Sequence, residues 1–336
     1  MDVTEKKIIN PASGAIVMAL GIFLHGVMSH FLSQSAERWF ALTFLFLAIV
    51  IYSKLVQQFF QKDFLTPFLN NPVNSFVIGS WIAGFSVLGI VLENYTPLLH
   101  SLAVGVAVIN SCLWVFFIYV SMKNFKRLWQ RPTFHATHGV VLLSAVAAQS
   151  LVVLWEKMFP GLPDLVSLSA FGLGVFFYAN GLMLILKRYL STDWSLIEDW
   201  TNTNCIIHGG LSITGLAMIT TNLLDGLLLY YYWLVVLIVF CLVEGVEVLR
   251  AIKRIQQKGW REGIFTYHIS QWSRNFTFGM FFAFTMAMRG NSYDGNLLNE
   301  FHHFFLPVLA LIVLLALLIE ITLWAREVLV DNRFTS

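Results

Sequence analysis

The sequence predicts an all-α integral membrane protein with ten transmembrane helices that pair into five hairpins. Hydrophobic residues make up 57% of the 336 residues and charged residues only 12%, whereas a soluble domain carries about 25% charged residues. Ten stretches are apolar over the roughly 20 residues that a helix needs to cross a bilayer. When these stretches are passed alternately through a membrane, Lys and Arg collect on one side. These three observations predict the fold class together.

The ten predicted spans follow one another with short connections, so we expect one transmembrane domain over 1–336 and no soluble domain. In chain order the spans cover 11–32, 39–59, 72–93, 97–122, 134–158, 165–187, 203–223, 227–250, 265–288 and 303–326. Consecutive spans pair into five hairpin repeats, at roughly 11–59, 72–122, 134–187, 203–250 and 265–326.

The first three hairpins begin with the same kind of segment, in which a proline and small polar residues precede an apolar run. The segments are NPASGAIVMALG at 10–21, NPVNSFVIGSW at 71–81 and RPTFHATHGVVL at 131–142. Proline is tolerated in the first turn of a helix, where its missing N–H would have no partner. The spacing therefore predicts an internal repeat. The fourth and fifth hairpins replace the proline by His, Asn and Arg, in TNCIIHGG at 203–210 and QWSRNFTFG at 271–279.

The odd and even spans differ in composition. Even spans are bulky, as in WFALTFLFLAIVIY at 39–52, whereas odd spans hold most of the polar residues and 11 glycines against five in the even spans. Small residues let membrane helices approach closely, and polar residues in a span face a bundle interior or an aqueous cavity. We therefore predict an inner ring of five odd helices inside an outer ring of five even helices. The alternative is a solid bundle in which the glycines serve packing alone.

The distribution of basic residues predicts the orientation. With the N-terminus inside, three basic residues face outward (Arg38, Lys157 and Arg289), and Arg274 lies within a span. Positive residues favour the cytoplasmic side, so both termini are expected there, in the plasma membrane or, in a Gram-negative cell, the inner membrane. The 17 residues on that side are Lys6, Lys7, Lys54, Lys62, Lys123, Lys126, Arg127, Arg131, Lys187, Arg188, Arg250, Lys253, Arg254, Lys258, Arg261, Arg326 and Arg333.

The predicted inner helices indicate a path for an anion. Each begins on the cytoplasmic side, where its N-terminus carries roughly half a positive charge and free N–H groups. No Asp or Glu lies in the interior of an odd span, although cation pathways usually contain carboxylates. The candidates for attracting the anion or lining the pore are Arg274, His138, His208, Ser13, Asn74, Asn204, Asn275, Thr277 and Gln149.

Several alternatives remain open at this stage. Arg274 lies about two turns inside its span and could extend to the cytoplasmic interface instead. Each histidine could be a hydrogen-bonded packing residue, or His138 or His208 could couple anion movement to protons. The nine histidines also make a haem-binding membrane oxidoreductase an alternative, although haem ligation favours matched histidines near both faces, and the histidines within the spans cluster at the cytoplasmic end, apart from His25 and His30. A scaffold without transport activity is the remaining alternative.

Nothing in the sequence indicates a cofactor or a nucleic-acid partner. Cys112, Cys205 and Cys241 fall inside apolar segments and have no metal-binding spacing, so neither a disulfide framework nor a metal site is expected. The net charge of +2 is too small to indicate nucleic acid. The expected partners are small anions and the lipid bilayer.

Four segments resemble the tellurite-resistance/dicarboxylate transporter family, which includes slow-type anion channels, tellurite-resistance proteins, and malate and sulfite transporters. They are PASGAIVMALGI at 11–22, NPVNSFVIGSW at 71–81, VAAQSLVVL at 146–154 and QWSRNFTFGMFFAFT at 271–285. In the last segment, four residues match the ninth-helix pattern of the family: Trp272, Ser273, Phe276 and Gly279. The four segments follow the family order and extend over nearly the whole chain.

The resemblance implies five hairpins around a quasi-fivefold axis, a pore lined by the odd helices in each protomer, and a homotrimer. It implies movement of small inorganic anions (chloride, nitrate or sulfite) or small dicarboxylates by a channel or coupled transporter, not an enzyme. In this family an aromatic residue of helix 9 plugs the pore. Its position is that of Tyr267, five residues before Trp272, and Phe265 and Phe276 are the other candidates. Thr277 stands where many members have Pro or Gly.

Overall fold

The computed structural model describes residues 9–130, 132–289 and 296–334, and the regular structure of these residues is helical throughout. Lys6, Lys7 and Arg131, which contribute to the predicted charge asymmetry, lie outside the described residues. The α-helices are α1 (Gly14–Ile22), α2 (Gln34–Phe59), α3 (Lys62–Asn70), α4 (Ile78–Tyr95), α5 (His100–Gln130), α6 (Leu143–Met158), α7 (Asp164–Ser191), α8 (Ile206–Thr220), α9 (Gly226–Ile264), α10 (Trp272–Met288) and α11 (Asn296–Phe334).

A short 3-10 turn precedes each helix of the predicted inner set. The turns are Pro11–Ser13 before α1, Asn74–Val77 before α4, Gly139–Leu142 before α6, Asn202–Cys205 before α8 and Ile269–Gln271 before α10. At the other end, α1 continues into a π-helical turn, Phe23–Val27, and a 3-10 turn, Met28–His30. The segment that recurs in the sequence therefore forms a 3-10 turn at the start of each of these helices.

Eight of the described helical segments are long and apolar enough to cross a membrane. They coincide with predicted spans 1 to 6, 8 and 10. The seventh and ninth predicted spans correspond to α8 and α10 with their turns, which fall below that level of hydropathy because they carry residues such as His208 and Arg274. That these two helices cross the membrane with the others stays a prediction.

Burial separates the polar helices from the bulky ones. The membrane-length windows that contain α1, α4 and α6 are 78%, 89% and 89% buried, whereas those in α2, α5, α7, α9 and α11 are only 22–44% buried. In the described residues α1 packs on α4, α4 on α6, α6 on α8, α8 on α10, and α10 on α1. The even-numbered spans therefore place most of their surface outside these contacts, where lipid would cover it.

Glycines lie where the buried helices approach one another. A Cβ added at Gly79 would collide with the backbone of Leu143, and one added at Gly139 would collide with the backbone of Thr203. Neither neighbour can rotate away, because both are main-chain atoms. The corresponding close approaches at the three other contacts are Gly14 on Trp81, Gly209 on Thr277 and Gly279 on Ile22. Close packing, the alternative use of glycine considered from the sequence, accounts for these five positions.

Candidate functional site

The beginnings of the buried helices gather at one end of the molecule, and side chains cap four of them. Asn10 Oδ1 accepts a hydrogen bond from the Ala12 N–H at 2.9 Å, and Asn71 Oδ1 accepts one from the Val73 N–H at 3.0 Å. His138 Nδ1 and His268 Nδ1 likewise accept from a backbone N–H that lies two positions further along the chain. Each cap satisfies a helix N-terminal N–H that would otherwise be available to an anion.

The other predicted residues of this end differ in exposure. Ser13 is buried, at 4% exposure, and lies in the turn before α1. Asn74 is exposed, and its own N–H donates to Asn71 Oδ1 at 2.9 Å. Both residues belong to the capped turns, so their backbone amides form part of the helix starts.

His138 and Asn204 join the beginnings of α6 and α8. His138 Nδ1 lies 2.7 Å from Thr203 Oγ1, and Asn204 Oδ1 accepts from the Gly139 N–H at 2.8 Å. The Asn204 amide also donates to the Tyr189 hydroxyl of α7 at 2.8 Å. Asn204 is fully buried. Both predicted residues therefore fasten neighbouring helices to one another.

Two polar residues deeper in the buried helices are also committed to helix contacts. The Gln149 amide nitrogen donates to the Phe171 carbonyl of α7 at 3.1 Å, so this side chain extends toward an outer helix. Thr277 Oγ1 donates to the Arg274 carbonyl at 3.0 Å and is fully buried. Asn275 is 5% exposed, and its Oδ1, like Gln149 Oε1, has no hydrogen-bond partner among the described residues.

Arg274 is neutralised by carboxylates of α9. Its Nε lies 3.3 Å from Glu244 Oε2, and its Nη2 lies 3.1 Å from Glu247 Oε2. Glu247 also pairs with Arg250 at 3.2 Å, as the three-residue spacing on one helix suggests. The four charges sum to zero. The guanidinium is thus held against an outer helix, an arrangement that the sequence alternatives for Arg274 did not include.

His208 belongs to the same cluster. Its Nε2 lies 3.1 Å from Glu244 Oε1, and the side chain is fully buried. His208 Nδ1 has no partner among the described residues. We refer to His208, Glu244, Glu247, Arg250 and Arg274 as the α9 charge cluster. Its two glutamates belong to one of the predicted even spans, and nothing in the sequence connects them to Arg274, which lies about 30 residues further along the chain.

The three aromatic gate candidates lie in different surroundings. Phe265 is 46% exposed, just after α9. Tyr267 is half-buried, and its hydroxyl accepts a hydrogen bond from Trp272 Nε1 at 3.2 Å. Phe276 is 1% exposed within α10. Phe265 is therefore an exposed ring, Tyr267 lies at the start of α10, and Phe276 lies inside the bundle.

Contacts of α10 with α9 indicate where Phe276 points. Arg274, Phe278 and Phe281 all contact α9, through Glu244 and Glu247 or through ring contacts with Phe240. Successive residues of an α-helix are about 100° apart around its axis. Phe276 is therefore about 200° from Arg274 and about 140° from Phe281, which places it on the side of α10 away from α9.

Two cavities open beside the start of α10, and both are lined by Tyr267 and His268. One, of about 410 Å³, reaches Ser13 and Lys54. The other, of about 510 Å³, reaches Arg250 and Arg254. Both cavities lie at the end of the bundle where the buried helices begin. No group of three His, Cys, Asp or Glu suited to a metal ion occurs in the described ranges.

Comparison with known families resolves the class of the protein. No curated protein matches the chain. A family model described as voltage-dependent anion channel, SLAC1, matches residues 9–323. The match runs from the first described residue into α11 and so includes all the buried helices. The resemblance seen in the sequence is confirmed. The chain is therefore a multi-pass membrane protein of the SLAC1 family, the family of voltage-dependent anion channels.

Proposed function

We propose that this protein conducts small anions through a pore enclosed by α1, α4, α6, α8 and α10, with one pore in each protomer of a homotrimer. The observation that carries the proposal is the order of helix contacts, in which each of these five helices packs on two others and the last packs on the first. An outer layer against lipid is then formed by the other five long helices, α2, α5, α7, α9 and α11. The arrangement would be a quasi-fivefold ring of ten spans with cytoplasmic termini.

The charge of the transported ion is inferred from two features near the path: the glutamates are balanced by arginines, and the helix N-termini are partially positive. The glutamates of the α9 charge cluster are balanced by Arg274 and Arg250. Helix N-termini meet at one mouth, and although side chains cap some of their amides, the aligned peptide dipoles still favour negative charge there. An anion entering this mouth therefore meets a favourable potential.

Phe276 is the gate that the geometry favours. It is buried and lies on the face of α10 away from α9. An aromatic ring in a narrow bore excludes water, and hydrophobic constrictions close channels by dewetting. Tyr267, the position expected from the family resemblance, is tied to Trp272 at the mouth. We therefore assign Tyr267 to the entrance and Phe276 to the occlusion.

Single-channel or flux recordings on three variants separate the gate candidates. Phe276→Ala is expected to raise anion conductance at least about tenfold. This factor corresponds to lowering the barrier to ion passage by about 1.4 kcal/mol. The exposed Phe265→Ala is the matched control, because it removes the same ring from a position outside the bore, and it should leave conductance unchanged. A rise in Tyr267→Ala with no change in Phe276→Ala would move the gate to the mouth.

Reconstitution tests the function itself. Purified protein in planar bilayers should show currents whose reversal potential follows gradients of chloride, nitrate, sulfite or malate and ignores gradients of potassium. Arg274→Gln, Glu244→Gln and the double variant serve as internal comparisons, since they alter the charge next to α10. Reversal potentials that ignore every anion gradient would rule out anion conduction.

A proton-coupled anion transporter is the second candidate, and the buried contact between His208 and Glu244 favours it. A histidine 3.1 Å from a carboxylate can exchange a proton with it, and His208 is fully buried. In vesicles, coupled transport would accumulate malate or sulfite when a pH gradient is imposed. His208→Gln would abolish that accumulation. If a pH gradient drives no anion uptake in the unmodified protein, the coupled mechanism is excluded and the channel remains.

A further inference from the structure

The larger of the two cavities beside α10 is basic and lies between α9 and the segments that precede α8 and α10. Its volume is about 510 Å³. Its walls are the loop before α8, the last turns of α9 and the segment that joins α9 to α10. We call it the basic cavity. None of its lining residues comes from α1, α4 or α6, so it lies beside the proposed pore.

Three basic residues of α9 line this cavity at four-residue intervals: Arg250, Arg254 and Lys258. Residues four apart share one face of a helix. Arg250 is buried and fully engaged, because its Nη1 donates to Asn202 Oδ1 at 2.9 Å and pairs with Glu247. Its charge is therefore compensated, and it fixes the loop that forms the opposite wall.

Arg254 and Lys258 are not compensated. The half-buried Arg254 makes one hydrogen bond, from Nη2 to Thr266 Oγ1 at 3.3 Å, and no ion pair among the described residues. Lys258 has neither a hydrogen bond nor an ion pair within the described ranges. Glu198, a carboxylate that lines the cavity, is exposed and pairs with neither of them. Two positive charges thus face a cavity in which a single exposed carboxylate opposes them.

Neutral donors complete the lining. His268 Nδ1 accepts a hydrogen bond from the Ser270 N–H at 3.2 Å, so this nitrogen carries no proton and the imidazole holds its proton on Nε2, where it can be donated. Trp200, at 8% exposure, and Tyr267 add aromatic rings to the wall. Such rings are enriched at the depth of lipid headgroups. The cavity therefore combines cations, N–H donors and an interfacial position.

We propose that the basic cavity binds a phosphate group, which the membrane supplies as the headgroup of an anionic phospholipid. Guanidinium and ammonium groups pair strongly with phosphate oxygens. Basic pockets between helices at a membrane surface take acidic headgroups. At Gly259, where φ is +78°, α9 bends and the chain turns back, so that Gly263 lies against the backbone of Arg254 and Ile255 and Thr266 to His268 form the facing wall of the cavity.

The test compares two variants that lose the same charge from the same stretch of α9. Arg254→Gln/Lys258→Gln removes the two uncompensated cations of the cavity. Lys253→Gln/Arg261→Gln is the matched control, because these residues flank the cavity without lining it. Binding to purified protein in uncharged detergent is measured for three probes: dioctanoyl phosphatidylglycerol, dioctanoyl phosphatidylcholine and inorganic phosphate. Thermal unfolding of both variants checks that they fold.

The cavity variant should bind phosphatidylglycerol about 30-fold more weakly than the unmodified protein, since each surface Lys or Arg contributes about 1 kcal/mol, or about fivefold, toward an anionic headgroup. The control should stay close to the unmodified protein. Phosphatidylglycerol binding much tighter than inorganic phosphate identifies the lipid as the source, and equal binding identifies soluble phosphate. Equal loss in both variants, equal affinity for phosphatidylcholine, or no binding of either phosphate probe would overturn the proposal.

Discussion

Gly79→Ala tests the close approach of α4 and α6, on which the proposed ring depends. Gly79 is buried, and the added Cβ would overlap the carbonyl group of Leu143 and lie 2.8 Å from the Leu143 Cβ. An ordinary contact between such atoms is about 3.5–4.0 Å. The two helices would have to separate by roughly 1 Å, since a main-chain carbonyl cannot rotate out of the way without breaking its helix.

The magnitude follows from the kind of atom that is displaced. Overpacking a well-filled core costs about 1–3 kcal/mol, and occasionally more. A rigid backbone neighbour places Gly79→Ala near the upper end of that range, at about 3 kcal/mol. Gly105→Ala is the matched control, because nothing lies within 4 Å of a Cβ at Gly105 in α5. Alanine in place of glycine in an unobstructed helix should instead stabilise by about 0.8–1 kcal/mol.

Thermal or denaturant unfolding of the two variants in the same detergent measures the difference. The stability of Gly79→Ala should fall, and that of Gly105→Ala should stay level or rise. Anion flux adds a second readout, because separating two wall helices changes the bore, whereas a substitution on the lipid side does not. If Gly79→Ala unfolds with the same free energy as Gly105→Ala, α4 and α6 do not meet through their backbones, and the close-packed wall is refuted.

Three further predictions concern the polar residues. Asn71→Ala should cost about 1 kcal/mol of stability in unfolding measurements, since two N–H groups lose their cap, while Asn71→Asp retains the acceptor and most of the stability. Arg274→Gln should reduce both stability and anion flux because it removes the guanidinium from the partly buried Glu244 and Glu247, and since Glu247 keeps Arg250 the loss should stay below the roughly 3–5 kcal/mol of a fully buried pair. Arg274→Gln/Glu244→Gln should restore much of both; no recovery of flux would make Arg274 a direct anion ligand. Gln149→Leu should leave flux unchanged, and reduced flux would show that this amide reaches the bore.

Eight of the ten predicted spans could be recognised in the sequence because a membrane imposes a simple requirement on it. A span must be apolar over about 20 residues, and the eight helices that satisfy the requirement coincide with predicted spans. The repeated proline segment correctly predicted where buried helices begin. The sequence did not show that side chains cap these helix starts. The asparagine before Pro11 and before Pro72 supplies the cap, and His138 and His268 supply it where the proline is absent or distant.

The direction of side chains in the buried helices could not be predicted. Periodicity orients a helix only when one side is polar and the other apolar, and α1 has nearly every residue buried. A polar residue such as Gln149 therefore carries no sequence signal that distinguishes the bore from the contact with an outer helix. The partners of Arg274 were hidden for a second reason, because an ion pair between helices leaves no fixed spacing in the sequence.

The use of polar side chains for fastening has a consequence for selectivity. Asn204, Gln149, His208 and Arg274 each bond to a neighbouring helix through at least one side-chain atom, which leaves few of their polar atoms for an ion. A wall of this kind offers a favourable potential but few hydrogen bonds to replace an ion's hydration shell. Burying a charge without such replacement is costly, and the cost is lowest for ions that hold water weakly. In the proposed pore, such a wall should therefore rank anions by ease of dehydration, with singly charged nitrate and chloride ahead of doubly charged malate.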